Sequence, residues 1–395
     1  MPFSSKVWHN EGMRAPSHKI VRFPRSRVAA FDIGAVGGPV MAAAVALAAV
    51  ALTCGPPSER SGAAPALSWT VQASGTDAGL RGVSVVDDRT AWASGTRGTV
   101  LRTVDGGATW TLIAVPGAEE TDFRDVEAFG PDEAVVMGID RPARIYRTTD
   151  GGRTWAQAWF DDSPGVFLDG LAFIDGRRGM AVGDPMDGRF LLLATDDGGA
   201  SWKPWPAASR PLAAEGEAAF AASGTSLAVL GRDLLWLVTG GPMSRVWRST
   251  DGGRGWEAAP SALADGAPSK GGFSAAFLDR RRGIVVGGDY RAEAEAAGNA
   301  AVSEDGGRTW TPVADRRPGG YREAVAFVPG TRPPVAVTVG PSGSDCSVDL
   351  GRSWAPIETP AGLHALAFAK RGRTGWAVGR GGLVARLDVA RRDGD

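Results

Sequence analysis

Short apolar runs recur in pairs along this chain, and polar turns separate them. The first run of each pair reads GVSVV (82–86), DVEAF (125–129), DGLAF (169–173), EAAFA (217–221), SAAFL (274–278), EAVAF (323–327) and HALAF (364–368). The second ends in or near glycine: AWASG (91–95), AVVMG (134–138), GMAVG (179–183), SLAVLG (226–231), GIVVG (283–287), VAVTVG (335–340) and GWAVG (375–379). Runs this short, bounded by Gly and charged turns, predict buried strands rather than helices. A third strand is expected after each pair, and it leads into a polar turn of nearly fixed spelling.

That turn is TVDGGATW (Thr103–Trp110), TTDGGRTW (Thr148–Trp155), TDDGGASW (Thr195–Trp202), STDGGRGW (Ser249–Trp256), SEDGGRTW (Ser303–Trp310) and SVDLGRSW (Ser347–Trp354). The aspartates Asp105, Asp150, Asp197, Asp251, Asp305 and Asp349 fall 45, 47, 54, 54 and 44 residues apart. Such a period fits one four-stranded propeller blade per repeat. In this Asp-box pattern the carboxylate accepts backbone N–H groups across its own turn, and the Gly pair supplies positive φ. Trp110, Trp155, Trp202, Trp256, Trp310 and Trp354 are expected to cover the space between sheets, each burial contributing a few kcal/mol at roughly 25 cal/mol per Å². These aspartates are therefore read as architecture rather than as catalysts or calcium ligands.

Seven first strands stand against six boxes. The last blade stops at LVARLD, while LSWTV (67–71) looks like a fourth strand lacking its other three. The expected fold is an all-β, seven-bladed propeller over 67–390, closed by strand 67–71 completing the last blade, with 391–395 as a tail. Closure of this kind removes exposed sheet edges. Within blade four, LLWLVTGGPMS (234–244) reads as an extension carrying Trp236, a packed strand residue or a stacking platform. RAEAEAAGN (291–299) reads as a loop inserted in blade five, with a single helical turn or a lip over the mouth as alternatives.

Composition agrees: 56 Gly, 26 Pro and 14 Trp suit short strands joined by tight turns. Lys and Arg (43) nearly cancel Asp and Glu (44), so no global field draws nucleic acid. Two cysteines, Cys54 and Cys346, give neither a disulfide framework nor a structural zinc site. With His9 and His18 in the N-terminal lead, His364 is the one imidazole of the expected propeller, so no metal is expected. No cofactor is expected either, because no G-x-G-x-x-G opens a βαβ unit and no C-x-x-C occurs.

Residues 1–27 are polar and basic, and an apolar Ala/Val run from 33 to 53 follows. Basic lead, apolar core and small-residue end predict export. The long lead leaves Met13 as an alternative start. ALTC-Gly resembles a bacterial lipobox, so lipidation at Cys54 is the first expectation for 1–54. A cleaved signal and a retained anchor, for which the run is near the roughly 20 residues needed to span a bilayer, are the alternatives. A flexible linker is expected over 55–66, and the exported chain is expected to be monomeric, touching the membrane through this segment.

The box-bearing repeats resemble the Ycf48/Hcf136-like photosystem II assembly factors, within the wider BNR/Asp-box superfamily that includes sialidases. DFRDVEAF (122–129), GDPMDGRFLLL (183–193), GEAAFAASGTSLAV (216–229), GGYREAVAFVPG (319–330) and GPSGSD (340–345) look like bacterial members of that group. The resemblance implies recognition of a polypeptide partner through an arginine-rich patch. A sialidase would need an F/Y-R-I-P motif, whereas Phe123–Asp125 reads FRD; Tyr321 and Glu323 echo its nucleophile pair without its register. Labels in such groups often travel by fold alone.

First strands all start on one face of a propeller, opposite the boxes. Around that mouth the expected residues are Arg81, Arg124, Asp125, Asp169, Glu217, Tyr321, Arg322, Glu323 and His364, with Asp184 from a neighbouring loop. Two readings compete: a ring of Arg–carboxylate pairs that seals the channel, or a mixed-charge funnel for a peptide or small polar ligand. In the funnel, Arg81, Arg124 and Arg322 would grip a carboxylate. For catalysis the candidates are Glu323, Asp169 and His364, a glycosidase or glycan-binding propeller being the main enzymatic alternative and a redox protein the lesser one. The leading expectation is a non-enzymatic scaffold or assembly factor with a protein partner at the mouth.

Overall fold

The computed structural model describes residues 66–389 apart from positions 140 and 371. The N-terminal lead, the apolar run with Cys54, most of the linker and the tail lie outside the described residues. Seven antiparallel sheets make up the described chain, each one blade of a propeller. Blade one sets the pattern with strands Leu80–Val85, Ala91–Gly95, Val100–Thr103 and Thr111–Ile113. Its second strand is buried at every position, on both faces, which is why the sequence there is apolar without alternation.

Blade seven contributes Leu363–Phe368, Gly375–Gly379 and Val384–Val389 from the end of the chain, and Leu67–Gln72 from its start. The N-terminal strand pairs antiparallel from Leu67 against Val389 to Gln72 against Val384, so the ring closes as the sequence predicts. At this seam Gln72 Oε1 accepts the indole N–H of Trp110 at 3.0 Å and that of Trp376 at 2.9 Å. Its amide donates to Gly106 O at 3.1 Å. One side chain thus joins the closing strand, blade seven and the box turn of blade one.

The core lies in layers between neighbouring blades. Leu67, Leu366 and Leu387 of blade seven pack with Val337 and Val339 of blade six. The box tryptophans stand edge-on to aromatic rings in these layers: Trp110 on Trp376, Trp155 on Trp92, and Trp202 on Phe173. In blade one, Thr109 donates its N–H and hydroxyl to the two oxygens of Asp105 at 3.0 and 2.6 Å. Those donors, the hydroxyl first, pull the Asp105 carboxyl down to about 2. The same pair of bonds recurs at Asp150, Asp197, Asp305 and Asp349. Asp251 accepts the backbone N–H groups of Arg254 and Gly255 and the hydroxyl of Ser249, but lacks the second hydroxyl, since Gly255 stands where the other boxes carry Ser or Thr.

Blade four departs from expectation. Its innermost strand is Leu227–Leu230, expected as the second strand, and its second is Leu234–Val238, expected as an extension. EAAFA (217–221) forms no strand beyond a single bridge from Ala218 to Gly240. Trp236 is a packed strand residue: fully buried, stacked 3.5 Å from the Phe277 ring and donating to Gly306 O at 2.9 Å. The insertion at 291–299 is a loop of turns with no helix.

Candidate functional site at the propeller mouth

In five blades the pairing of first and second strands slips by one residue near the mouth. The slips fall between Leu80 and Gly82, Phe123 and Asp125, Leu168 and Gly170, Gly272 and Ser274, and Leu363 and Ala365. The bulged residues are Arg81, Arg124, Asp169, Phe273 and His364. A bulge leaves one residue unpaired and re-aims its side chain, so the fold sets these five side chains apart from the regular ladder. In blade six Glu323 takes the corresponding place, its N–H bonded to Val339 O at 2.9 Å just ahead of the Ala324–Val339 pair. The glycine ending each second strand lets the bulged strand approach: a Cβ on Gly379 would lie 1.9 Å from Gly362 O.

Three of these residues form one cluster. Glu323 Oε2 bonds His364 Nδ1 at 2.7 Å and lies 3.9 Å from Arg81 Nη1. Burial pushes the His364 imidazole below its ordinary value, with the Arg81 charge adding to that and Glu323 opposing it. The ring is therefore neutral at pH 7; as a neutral imidazole beside a carboxylate it keeps its proton on Nδ1. Its Nε2 is buried with no hydrogen-bond partner among the described residues. Arg81 is 25% exposed and makes no hydrogen bond to the described residues, its Nε being buried. Burial and the neighbouring Arg124 charge work against the Arg81 guanidinium, while Glu323 and Asp122 work for it.

The other expected residues are engaged elsewhere. Arg124 chelates Asp122 Oδ2 through Nε and Nη2, both at 2.8 Å, and gives Nη1 to Ala221 O. Asp125 ties two blades together, accepting the N–H of Val126 at 2.8 Å and of Leu171 at 2.7 Å. Burial pushes its carboxyl well above the usual range against those donors. Arg322, 2% exposed, bonds Asp345, Ser342 Oγ and Tyr321 O. Glu217 turns into blade four, held by Arg245, Thr239 and Trp247. Asp169 is fully buried at its bulge, and Asp184 sits in the second strand of blade three. Tyr321 is buried edge-on to Phe273, and burial, then Glu323, raises its phenol.

The segment that sequence patterning takes for the inner strand of blade four instead crosses the axis. Ala221 O meets Arg124 of blade two, and a Cβ on Gly224 would strike the Asp125 carboxylate. Ser223 Oγ donates to Glu323 O of blade six at 2.8 Å, and Thr225 Oγ1 to Ser274 Oγ of blade five at 2.7 Å. Phe220 stacks on Phe273 at 4.1 Å. Residues 217–226 therefore plug the channel, with the charged cluster gathered around the plug.

The family described as photosynthesis system II assembly factor YCF48 matches residues 62–165. The photosystem II assembly lipoprotein Ycf48 of Synechococcus sp. (strain CC9902) is 25% identical over 296 residues, 65% of this chain and 84% of that protein. The chain is a β-propeller similar in sequence to the Ycf48 assembly factors. The chloroplast photosystem II stability/assembly factor HCF136 of Arabidopsis thaliana is 41% identical to this chain over 64 residues, and the match spans only 15% of each protein. A solved structure described as YCF48 bound to D1 peptide superposes with a TM-score of 0.59 at 18% identity, covering 82% of this chain and 97% of that one. At that identity the likeness is one of fold.

Proposed function

We propose that this chain is a non-enzymatic propeller that binds a polypeptide partner on its mouth face. The observation that carries the proposal is Arg81: a quarter exposed, aimed from a bulge, and without a hydrogen bond to the described residues. A guanidinium in that state is ready for an acceptor from outside, and carboxylate is the acceptor it holds best. Arg124 stands beside it to add positive potential, and Glu323 with His364 forms the floor. Arg124 and Asp125 brace the plug, Glu217 anchors its start in blade four, and Tyr321 lies beside Glu323. The assembly-factor names of the relatives, and the peptide on the similar propeller, agree in kind.

Selection of a random twelve-residue peptide library on the wild-type protein, followed by binding isotherms on Arg81→Ala and Arg81→Lys, tests this. Arg81→Ala should weaken the selected peptides by about tenfold or more, the loss of one charge-assisted bidentate contact, and Arg81→Lys by less. Equal affinities for wild type and Arg81→Ala would sink the mouth-face reading.

The proposal extends to location: an exported, monomeric protein held to a membrane by lipid on Cys54, in keeping with the lipoprotein name of the cyanobacterial relative. Alkyne–fatty-acid labelling should mark the wild type and not Cys54→Ala. An unlabelled wild type removes the lipid.

A further inference from the structure

Beside the mouth cluster lies a recess of about 860 Å³, walled by the chain that joins the closing strand to blade one and by the loop of blade seven. Its lining includes Val71, Ser74, Thr76, Asp77, Pro360 and Arg380. Asp77, the acid of that lining, is already held by Arg97. Arg380 is 56% exposed, and its acidic partner comes from outside the recess: Glu293, 38% exposed, on the inserted loop of blade five. That loop crosses the start of blade six. Glu293 O accepts the N–H of Tyr321 at 3.0 Å, and Asn299 Nδ2 donates to Pro318 O and Gly320 O at 2.8 and 2.6 Å. The loop thus lies as a strap over Tyr321, whose phenol interacts with Glu323, and the ion pair with Arg380 ties its far side to blade seven.

Resting on the reading of the mouth as a polypeptide-binding face, we propose that the recess takes an acidic segment of the partner, and that Arg380 is the residue through which this segment releases the strap. Two carboxylates compete for one guanidinium: Glu293 holds it through Nη2 alone, and a bidentate grip from the recess turns the fork away from that single contact. When Glu293 has it, the strap is fastened over Tyr321. When a carboxylate in the recess has it, Glu293 returns to water and the strap loses its tie to blade seven, keeping its hydrogen bonds to 318–321, Ala264 and Gly287. The charge pattern selects the occupant: the recess offers a cation whose present partner is exposed and exchangeable, while its own acid is neutralised. An exposed pair of this kind is weak, so the exchange is easy and reversible.

Fluorescein-labelled hexaglutamate serves as the probe, with hexaglutamine as control, and amide hydrogen exchange at Tyr321 reports the strap. The strap's own competition costs affinity, so Glu293→Gln should bind hexaglutamate about two- to fivefold more tightly than wild type. Arg380→Gln should bind it no better than hexaglutamine. Tyr321 exchange should quicken in both variants without probe, and in wild type when hexaglutamate is added. Unchanged affinity in Glu293→Gln, or Tyr321 exchange that ignores the probe in wild type, overturns the proposal. Because none of these readouts uses Arg81, they are separate from the peptide isotherms: Arg81→Ala should keep both the probe and the strap response. A folded Arg380→Gln, checked by its melting transition, that still binds hexaglutamate would equally overturn it.

Discussion

Replacing Gln72 by leucine removes a side chain that closes the ring without leaving a cavity. Three hydrogen bonds go with it: two accepted from the indoles of Trp110 and Trp376 and one donated to Gly106 O. Trp376 is fully buried and Trp110 nearly so, so their N–H groups lose partners where water reaches poorly. A neutral bond contributes about 1 kcal/mol net, and an orphaned buried donor costs up to a few. Gln72 itself is half-buried, which lets water repair part of the loss, and the sum is about 3 kcal/mol. Unfolding entropy of about 2.1 cal/mol/K per residue over roughly 320 residues converts this to a Tm drop of about 4 °C. Differential scanning calorimetry on wild type, Gln72→Leu and the exposed-site control Thr70→Ala measures it. A Gln72→Leu transition within 1 °C of the control would refute the reasoning and leave the seam held by strand pairing alone.

Two other outcomes follow from the same geometry. Gly255→Thr should give the fourth Asp-box the second hydroxyl donor that the other boxes carry beside their aspartate; a Cβ there would sit 3.2 Å from Asp251 Oδ2, and a gain of about 0.5–1 kcal/mol is expected in urea melts. His364, neutral by burial, stays deprotonated in the fold while the unfolded chain takes up a proton below about pH 6.5. Stability is therefore full above that pH and is lost as pH falls, by up to about 1.4 kcal/mol per pH unit. Asp125, whose carboxyl is raised, works in the opposite direction, but it is common to both proteins compared. The difference between wild type and His364→Gln from pH 7 to 5 isolates the imidazole, and parallel curves would contradict a buried neutral ring.

The fold was legible because each blade repeats its chemistry. Six boxes fixed the period, and the orphan Trp69 strand told where the ring closes. What misled was apolar content at 217–221, which looks like an inner strand although its backbone is spent on the axis. The corrective signal lay in the second strands: Trp236 of LLWLV occupies the place of Trp92 in AWASG and Trp376 in GWAVG, each opposite an arginine of the third strand, Arg248, Arg102 and Arg386. At the mouth, sequence supplied the charged residues but not their partners. Arg81, Arg124 and Arg322 look alike in a string of letters, yet Arg322 is buried against Asp345, Arg124 against Asp122, and Arg81 is left with open donors. Which ion finds which partner depends on bulges and on a plug from another blade, neither of which has a local signature.

The closing strand also sets an order of events in time. Leu67–Gln72 is made before any blade, and its partner Val384–Val389 is made after every other. At roughly 5–20 residues per second, synthesis separates the two by about tens of seconds. During that interval the early strand exposes a sheet edge with no mate in its own chain, and the six finished blades stand as an open arc. The late strand then accepts whichever copy of LSWTVQ reaches it first. In a crowded compartment that is a race between a chain's own beginning and a neighbour's, and losing it gives rings joined by exchanged strands. Low nascent-chain density is thus a condition for making this propeller one molecule at a time.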